Sequence, residues 1–202
     1  MNTPTSTGVA PKSAVTREVL HTRKIDFTAY QRSDGLFEIE GRVVDRKTVD
    51  FHHREGRSVP AGDAIHDMGV RLVYDIDLVV REIETFTDYA PFSHCPEGGR
   101  ALQTLLGLRM SKGWNSEVRS RLSGARSCTH LMEILTPMAT AVFQSLGFLL
   151  IKGPDRVDEN GKPRQIDGCY AYASDGPLVL KRWPQFHRPA TAPTHSSGSA
   201  PE

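Results

Sequence analysis

Apolar and polar residues alternate along the first half of the chain, and this period of two predicts β-strands. The stretches HTRKIDFTAY and LFEIEGRVVD are rich in β-branched and aromatic residues, and the RSDG between them carries an Asp-Gly pair typical of a tight hairpin turn. Farther along, MGVRLVYDIDLVVREIETF alternates again, but its apolar parity shifts after Asp75-Ile76-Asp77. The pattern therefore predicts two antiparallel hairpins, the second one folded at those three residues.

After Pro96 the apolar residues recur at intervals of three and four, which is the period of an amphipathic helix. PEGGRALQTLLGLRM predicts a first helix, NSEVRSRLSG a short second helix, and the residues from about Thr129 to Leu146 the longest helix. Near the end, GCYAYASDGPLVLKRW has two short apolar runs around Ser-Asp-Gly-Pro and predicts a short C-terminal hairpin. This order is typical of an α+β fold, in which an antiparallel sheet of two N-terminal hairpins packs against three helices.

Composition indicates the limits of the folded region and the class of partner. Residues 1–15 and 189–202 are rich in Pro, Ser, Thr, Ala and Gly, so we expect a flexible N-terminal tail and a disordered C-terminal tail around a single domain of residues 16–188. A formal net charge of +1 offers no general attraction to nucleic acid or to an anionic membrane. Because the sequence shows neither a signal peptide nor a membrane-spanning run, and has three widely spaced cysteines, we expect a cytoplasmic protein.

Two titratable residues, His66 and Asp67, precede the alternating stretch of the second hairpin. Neighbours in a regular strand point to opposite faces, so these two side chains must divide their roles. We expect one of them to enter a pocket as acid or base, and the other to hold the backbone or an arginine such as Arg71. His130 lies at the start of the longest predicted helix and is expected to meet His66 across one cavity, where an imidazole is the side chain best suited to carry protons. His66, Asp67 and His130 are thus the candidate catalytic residues, with a structural role as the alternative for each.

Cysteines begin two of the predicted helices, where free backbone N–H groups and the helix dipole favour a thiolate or a bound anion. Cys95 and Cys128 are therefore candidate substrate-binding residues, together with Arg71, Trp114 and Tyr170. Simpler interpretations are burial as small hydrophobic residues for the cysteines, a turn anchor for Trp114, and cross-strand packing for Tyr170.

Zinc or another divalent metal is an alternative interpretation of the same residue types. Cys95, Cys128 and His130, with His66 or Asp67, could supply the ligands. Since the chain has no CxxC, HxxxH or HExxH spacing, the first expectation is a site without a metal.

Several stretches resemble one known family when they are taken in order. They are YQRSDGLFEIEGRVVDRK, IHDMGVRLVYDIDL, APFSHCP, LLGLRMSKGW and SCTHLMEIL, and the resemblance covers about residues 20 to 150. The family is the bacterial domain of unknown function numbered 2889, and its most specific segments here are the His-Asp-Met and Cys-Thr-His-Leu sequences. The resemblance implies a role beside pathways that degrade aromatic compounds, and hence a small-molecule substrate.

The sequence also limits the type of reaction. It has neither a GxGxxG after a strand nor a GxxxxGK[ST], so we expect no organic cofactor. Without a hydride or electron carrier the accessible chemistry is proton transfer with elimination or carbon–carbon cleavage. The first hypothesis is therefore a cytoplasmic lyase that acts on an aromatic, lignin-derived small molecule, as a monomer or a homo-oligomer. The alternatives are a metal-dependent enzyme with Cys and His ligands, and a small-molecule-binding protein without catalysis.

Overall fold

The computed structural model describes residues 15–54, 56–147 and 154–189. The chain divides into two compact units, residues 1–145 and 146–202. Each unit is considered by itself below. Apart from Val15 and Pro189, the two tails expected from the composition lie outside the described residues.

The first unit is built on a four-stranded antiparallel sheet in the order β1-β2-β5-β6. Its strands are β1 (His21–Gln31), β2 (Phe37–Lys47), β5 (Ala64–Tyr74) and β6 (Val80–Tyr89). Between β2 and β5, the short strands β3 (Phe51–His52) and β4 (Ser58–Val59) pair with each other. Both predicted hairpins, β1-β2 and β5-β6, are confirmed.

The turn of the second hairpin is held by the Asp75 side chain. Its Oδ1 accepts the backbone N–H groups of Asp77 and Val79, and its Oδ2 accepts hydrogen bonds from Arg81. An aspartate side chain stabilises a turn in this way because its carboxylate accepts hydrogen bonds from the backbone N–H groups of the turn. The predicted reversal at Asp75-Ile76-Asp77 is therefore confirmed, with Leu78 in the left-handed region at φ 67°.

Helices cover one face of this sheet. A 3-10 helix spans Cys95–Leu105, and two α-helices follow, α1 (Trp114–Leu122) and α2 (Thr129–Ser145). The side chains buried between sheet and helices are apolar: Ile39, Val43, Met68, Val70, Leu72, Leu131, Ile134, Leu135 and Met138. None of the helices within the described ranges is long and apolar enough to cross a membrane.

Gly41 lets α2 approach β2 closely. An added Cβ at Gly41 would lie 2.5 Å from Ile134 Cγ2 and 2.5 Å from Met138 Cε. Any larger residue there would push the helix away from the sheet, because Ile134 and Met138 are both fully buried. The opposite face of the sheet is polar, with ion pairs such as Arg42–Asp67 and Arg71–Glu84. The sheet therefore has one face in the core and one face towards solvent, as antiparallel sheets commonly do.

The described part of the second unit is helical where the sequence predicted a short C-terminal hairpin. Tyr170–Tyr172 form a 3-10 turn, and Pro177–Arg182 form a helix, α3. Pro177 is at the first turn of α3, a position that suits its fixed φ. Val179 and Trp183 are four residues apart and share a small core with Ile166, which is the spacing of a helix. The hairpin prediction was wrong because two short apolar runs do not distinguish the period of a strand, two residues, from that of a helix, about 3.6 residues.

Candidate functional site

A row of polar side chains crosses the helix-covered face of the sheet. In the strand register Arg23 on β1 is opposite Asp45 on β2, and Asp45 is opposite His66 on β5. Residues directly opposite each other in antiparallel strands share a face, with Cβ atoms about 4.5–5.5 Å apart. The register thus places a guanidinium, a carboxylate and an imidazole side by side. The β2-β5 pairing shifts immediately after this row, between Asp45 and Arg46.

Asp45 is the centre of the row, and its side chain is only 3% exposed. Arg23 donates from Nε to Oδ1 at 2.8 Å and from Nη2 to Oδ2 at 2.8 Å. His21 Nε2 lies 3.0 Å from Oδ1, and His66 Nδ1 lies 3.1 Å from Oδ2. A buried carboxylate is tolerated when it is paired and hydrogen-bonded, and Asp45 meets both conditions.

Helix α2 adds a second imidazole to the row. His130 lies in its first turn, with Nε2 3.6 Å from Asp45 Oδ2. The His66 and His130 rings overlap, with centroids 3.9 Å apart and planes inclined by 33°. One turn later, Glu133 Oε2 lies 2.5 Å from Arg23 Nη1. The expectation that the two imidazoles meet is confirmed; their chemical roles stay a prediction.

The surroundings set the charge of the two central groups. Burial favours the neutral acid at Asp45, but the hydrogen bonds and charge of Arg23 outweigh it, so the pKa of this carboxyl is lowered. Burial is also the main reason that the pKa of His66 is lowered, and the adjacent His130 ring acts in the same direction. Near neutral pH the site therefore holds a carboxylate at Asp45 and an uncharged imidazole at His66.

These side chains form one end of a cleft of about 380 Å³. The rest of its wall comes from β2, from the β3-β4 region, from the start of β5 and from the segment before the 3-10 helix: Lys47, Phe51, His53, Ile65, Pro91 and Phe92. The Lys47 ammonium lies 4.5 Å from the centroid of the Phe51 ring. The cleft therefore combines aromatic walls, one cation and the polar cluster.

Of the two candidate cysteines, one adjoins the cluster. Cys128 Sγ is 3.8 Å from His130 Nδ1 and 3.7 Å from Met68 Sδ. Burial tends to raise the pKa of this thiol, but the hydrogen bonds from His130 and from two backbone N–H groups outweigh burial and lower the pKa. Cys95 begins the 3-10 helix and is not among the residues that line the cleft.

The structure does not bring Asp67 or Arg71 to the cluster. Both are on the solvent-facing side of β5, as strand alternation requires for positions one and five residues after His66. Asp67 accepts a hydrogen bond from Arg42 Nε at 2.6 Å and not from Arg71, which pairs with Glu84. His66 and Asp67 thus point to opposite faces, as expected, and Asp67 pairs with Arg42 instead of Arg71, whereas an acid or base role for His66 stays a prediction.

The aromatic candidates also lie elsewhere. Trp114 is 3% exposed and donates its indole N–H to the Leu135 carbonyl at 2.9 Å, so it is part of the core beneath α2. Tyr170 belongs to the second unit and is 99% exposed. Neither residue lines the cleft.

Sequence reasoning missed Asp45, Arg23 and His21, which complete the site. A signal for them does exist in the strand pattern. Asp45 has the same parity as the buried Ile39 and Val43, and Arg23 has the same parity as Ile25 and Phe27, which pair with that buried face. A charged residue at a core-facing position needs a partner, so the strand pattern alone indicates that Asp45 and Arg23 belong to a polar cluster.

Three of the clustered groups have the donor atoms that metals prefer. The ligand atoms of Asp45, His66 and His130 all lie within 4.8 Å of one another. This set differs from the one expected from the sequence, because Asp45 takes the place of Cys95, Cys128 and Asp67.

Comparisons with known proteins identify the family of the chain. The sequence profile of the family described as "Protein of unknown function (DUF2889)" matches residues 21–144, a range that holds every residue of the cluster. No curated protein and no solved structure matches the chain.

Proposed function

Because the chain belongs to DUF2889, a family described only as of unknown function, we propose its function from the site itself. It is a catabolic lyase of the bacterial cytoplasm, and its substrate is a small aromatic molecule of the kind released from lignin. The reaction is proton transfer coupled to elimination or carbon–carbon cleavage, without an organic cofactor. It requires no nucleic acid or membrane partner, and two or more copies of the chain could assemble without changing this chemistry.

The observation that carries this proposal is the convergence of Asp45, His66 and His130 at one end of a cleft. Elimination and retro-aldol cleavage both need a group that accepts a proton from the substrate and a charge that stabilises the resulting anion. The imidazoles and the carboxylate supply the first requirement. The Lys47 ammonium, on the wall of the same cleft, supplies positive charge for the second.

The walls of the cleft support an aromatic substrate that carries a negative charge. Phe51 and Phe92 present apolar rings to the cleft, and His53 packs edge-on against Phe92 with centroids 4.5 Å apart. Lys47 lies over Phe51 on the same wall, where it can meet a carboxylate or phenolate. A volume of about 380 Å³ falls at the lower end of the usual range for small-ligand sites.

The experiment is a turnover assay on a panel of lignin-derived aromatic alcohols and acids, with products separated by liquid chromatography and identified by mass spectrometry. We expect the wild type to cleave at least one compound, and His66→Ala and His130→Ala each to lose about 100-fold or more in kcat/KM. His94→Ala is the matched control, since His94 is exposed and does not line the cleft.

Two results would reject this function. One is full turnover in the His66→Ala, His130→Ala double variant. The other is tight binding of the aromatic compounds, each recovered unchanged after prolonged incubation, which would favour a binding protein without catalysis.

A further inference from the structure

Three potential ligand atoms point to one spot beside the cleft: Asp45 Oδ2, His66 Nδ1 and His130 Nε2. We infer that these three residues form a binding site for a divalent first-row metal ion such as Zn²⁺. The inference deepens the proposed function, because it takes the same cleft as the active site and names the ion that this site would use.

The distances between the ligand atoms suit such an ion. Zinc binds nitrogen and carboxylate oxygen at roughly 2.0–2.2 Å, so neighbouring ligands of a tetrahedral ion are about 3.3–3.6 Å apart. His66 Nδ1 and His130 Nε2 are 3.1 Å and 3.6 Å from Asp45 Oδ2. The ligand atoms of the two imidazoles lie within 4.8 Å of each other, so they would have to approach by up to about 1.5 Å to complete the geometry.

The charges of the cluster also suit a cation. The carboxylates of Asp45 and Glu133 face the single guanidinium of Arg23, so this group of three carries one net negative charge. This negative charge attracts a divalent ion, and the three residues together with the ion would carry one net positive charge.

Outer partners already orient two of the ligands. Arg23 holds both oxygens of Asp45, and an ion between Asp45 Oδ2 and His66 Nδ1 would take the place of the hydrogen bond that joins these two atoms. The other nitrogen of His130 faces Cys128 Sγ at 3.8 Å. Metal-bound histidines commonly have a second partner of this kind on the ring nitrogen that does not bind the ion.

Three protein ligands leave at least one position for water or substrate, which is the pattern of catalytic rather than structural zinc sites. The cleft meets the cluster at this point, since His66, His130 and Asp45 all line it. An ion there would hold the anionic oxygen of the substrate and lower the pKa of a bound water. The hydroxide that is left when this water releases its proton to solvent would then accept the substrate proton in place of a free imidazole.

The test is a zinc titration of the full chain, prepared without a histidine tag and stripped with a chelator. We expect one equivalent of Zn²⁺ to bind, with affinity reduced by more than about 100-fold in Asp45→Asn, His66→Ala and His130→Ala and unchanged in His94→Ala. Circular dichroism of each metal-free variant shows whether it folds. Less than about a tenth of an ion per wild-type chain, or binding that survives loss of either histidine, would overturn the inference.

A second measurement needs no variant. The ¹⁵N shifts of the imidazole nitrogens report which atom binds zinc, and we expect Nδ1 of His66 and Nε2 of His130 to respond. A response of the opposite nitrogens, or of other histidines, would also overturn the inference.

The metal site and the proposed function fail separately. Loss of turnover in His66→Ala, in a wild-type protein that binds no zinc, would leave only the proposed function standing. Zinc binding without turnover of any aromatic compound would leave only the metal site standing.

Discussion

The close approach of α2 to the sheet at Gly41 makes a strong prediction for Gly41→Ala. A methyl group there would lie 2.5 Å from both Ile134 Cγ2 and Met138 Cε and 2.9 Å from Phe27 Cε1. Ordinary contacts between carbon atoms are about 3.5–4.0 Å, so each neighbour must move by roughly 1 Å. Ile134 is β-branched and fully buried, so it has no free space to turn into, and the helix itself must shift.

Overpacking of this kind costs about 1–3 kcal/mol. For a unit of this size, a loss of 2 kcal/mol lowers Tm by roughly 5–10 °C. The assay is urea unfolding followed by circular dichroism, supported by calorimetry. Gly147→Ala is the matched control, because a Cβ at Gly147 meets no atom of the described residues within 4 Å. A free energy of unfolding for Gly41→Ala within about 0.5 kcal/mol of wild type would refute the reasoning.

Two further predictions concern the first unit. Trp114→Phe removes the donor to the Leu135 carbonyl and some core volume, and should cost about 1–3 kcal/mol in urea unfolding; a loss below 0.5 kcal/mol would mean that the indole N–H contributes little. The pKa of Asp75 is lowered because backbone N–H groups and Arg81 outweigh its burial. This stabilisation is present above the ordinary pKa of about 3.9 and is lost as pH falls through the lower folded value. Asp75→Asn should therefore flatten the acid limb of the urea midpoint between about pH 5 and pH 2, and an unchanged limb would contradict the assignment.

The sheet was predictable because its strands obey local rules. Alternation, the Asp-Gly turn and the parity shift after Tyr74 each indicate where a strand begins or reverses, and the structure confirms both hairpins. The longest helix was equally clear from its apolar spacing and ends at Ser145, one residue before the predicted end. The prediction for the C-terminal segment failed because its apolar runs are too short to reveal a period. Val179 and Trp183 contribute to a small core with Ile166.

The site was only half predictable. His66 and His130 could be chosen by residue type, and alternation placed Asp67 on the other face. Asp45 and Arg23 could not be joined to them, because their contacts depend on which strands pair and in which register. Arg23 and Glu133 are 110 positions apart in the chain, and no local pattern links such residues. Trp114 has the residue type of a binding group but is part of the core, and this too depends on the tertiary packing.

The row Arg23-Asp45-His66 forms only if the number of residues along β2 is right, in addition to the side chains having the right chemistry. Because side chains alternate along β2, deleting one residue between Phe37 and Val44 would turn Asp45 outward and bring Arg46 to its place, with every site residue still present in the sequence. The number of residues between the β1-β2 turn and Asp45 therefore has to stay unchanged for this carboxylate to face the two imidazoles.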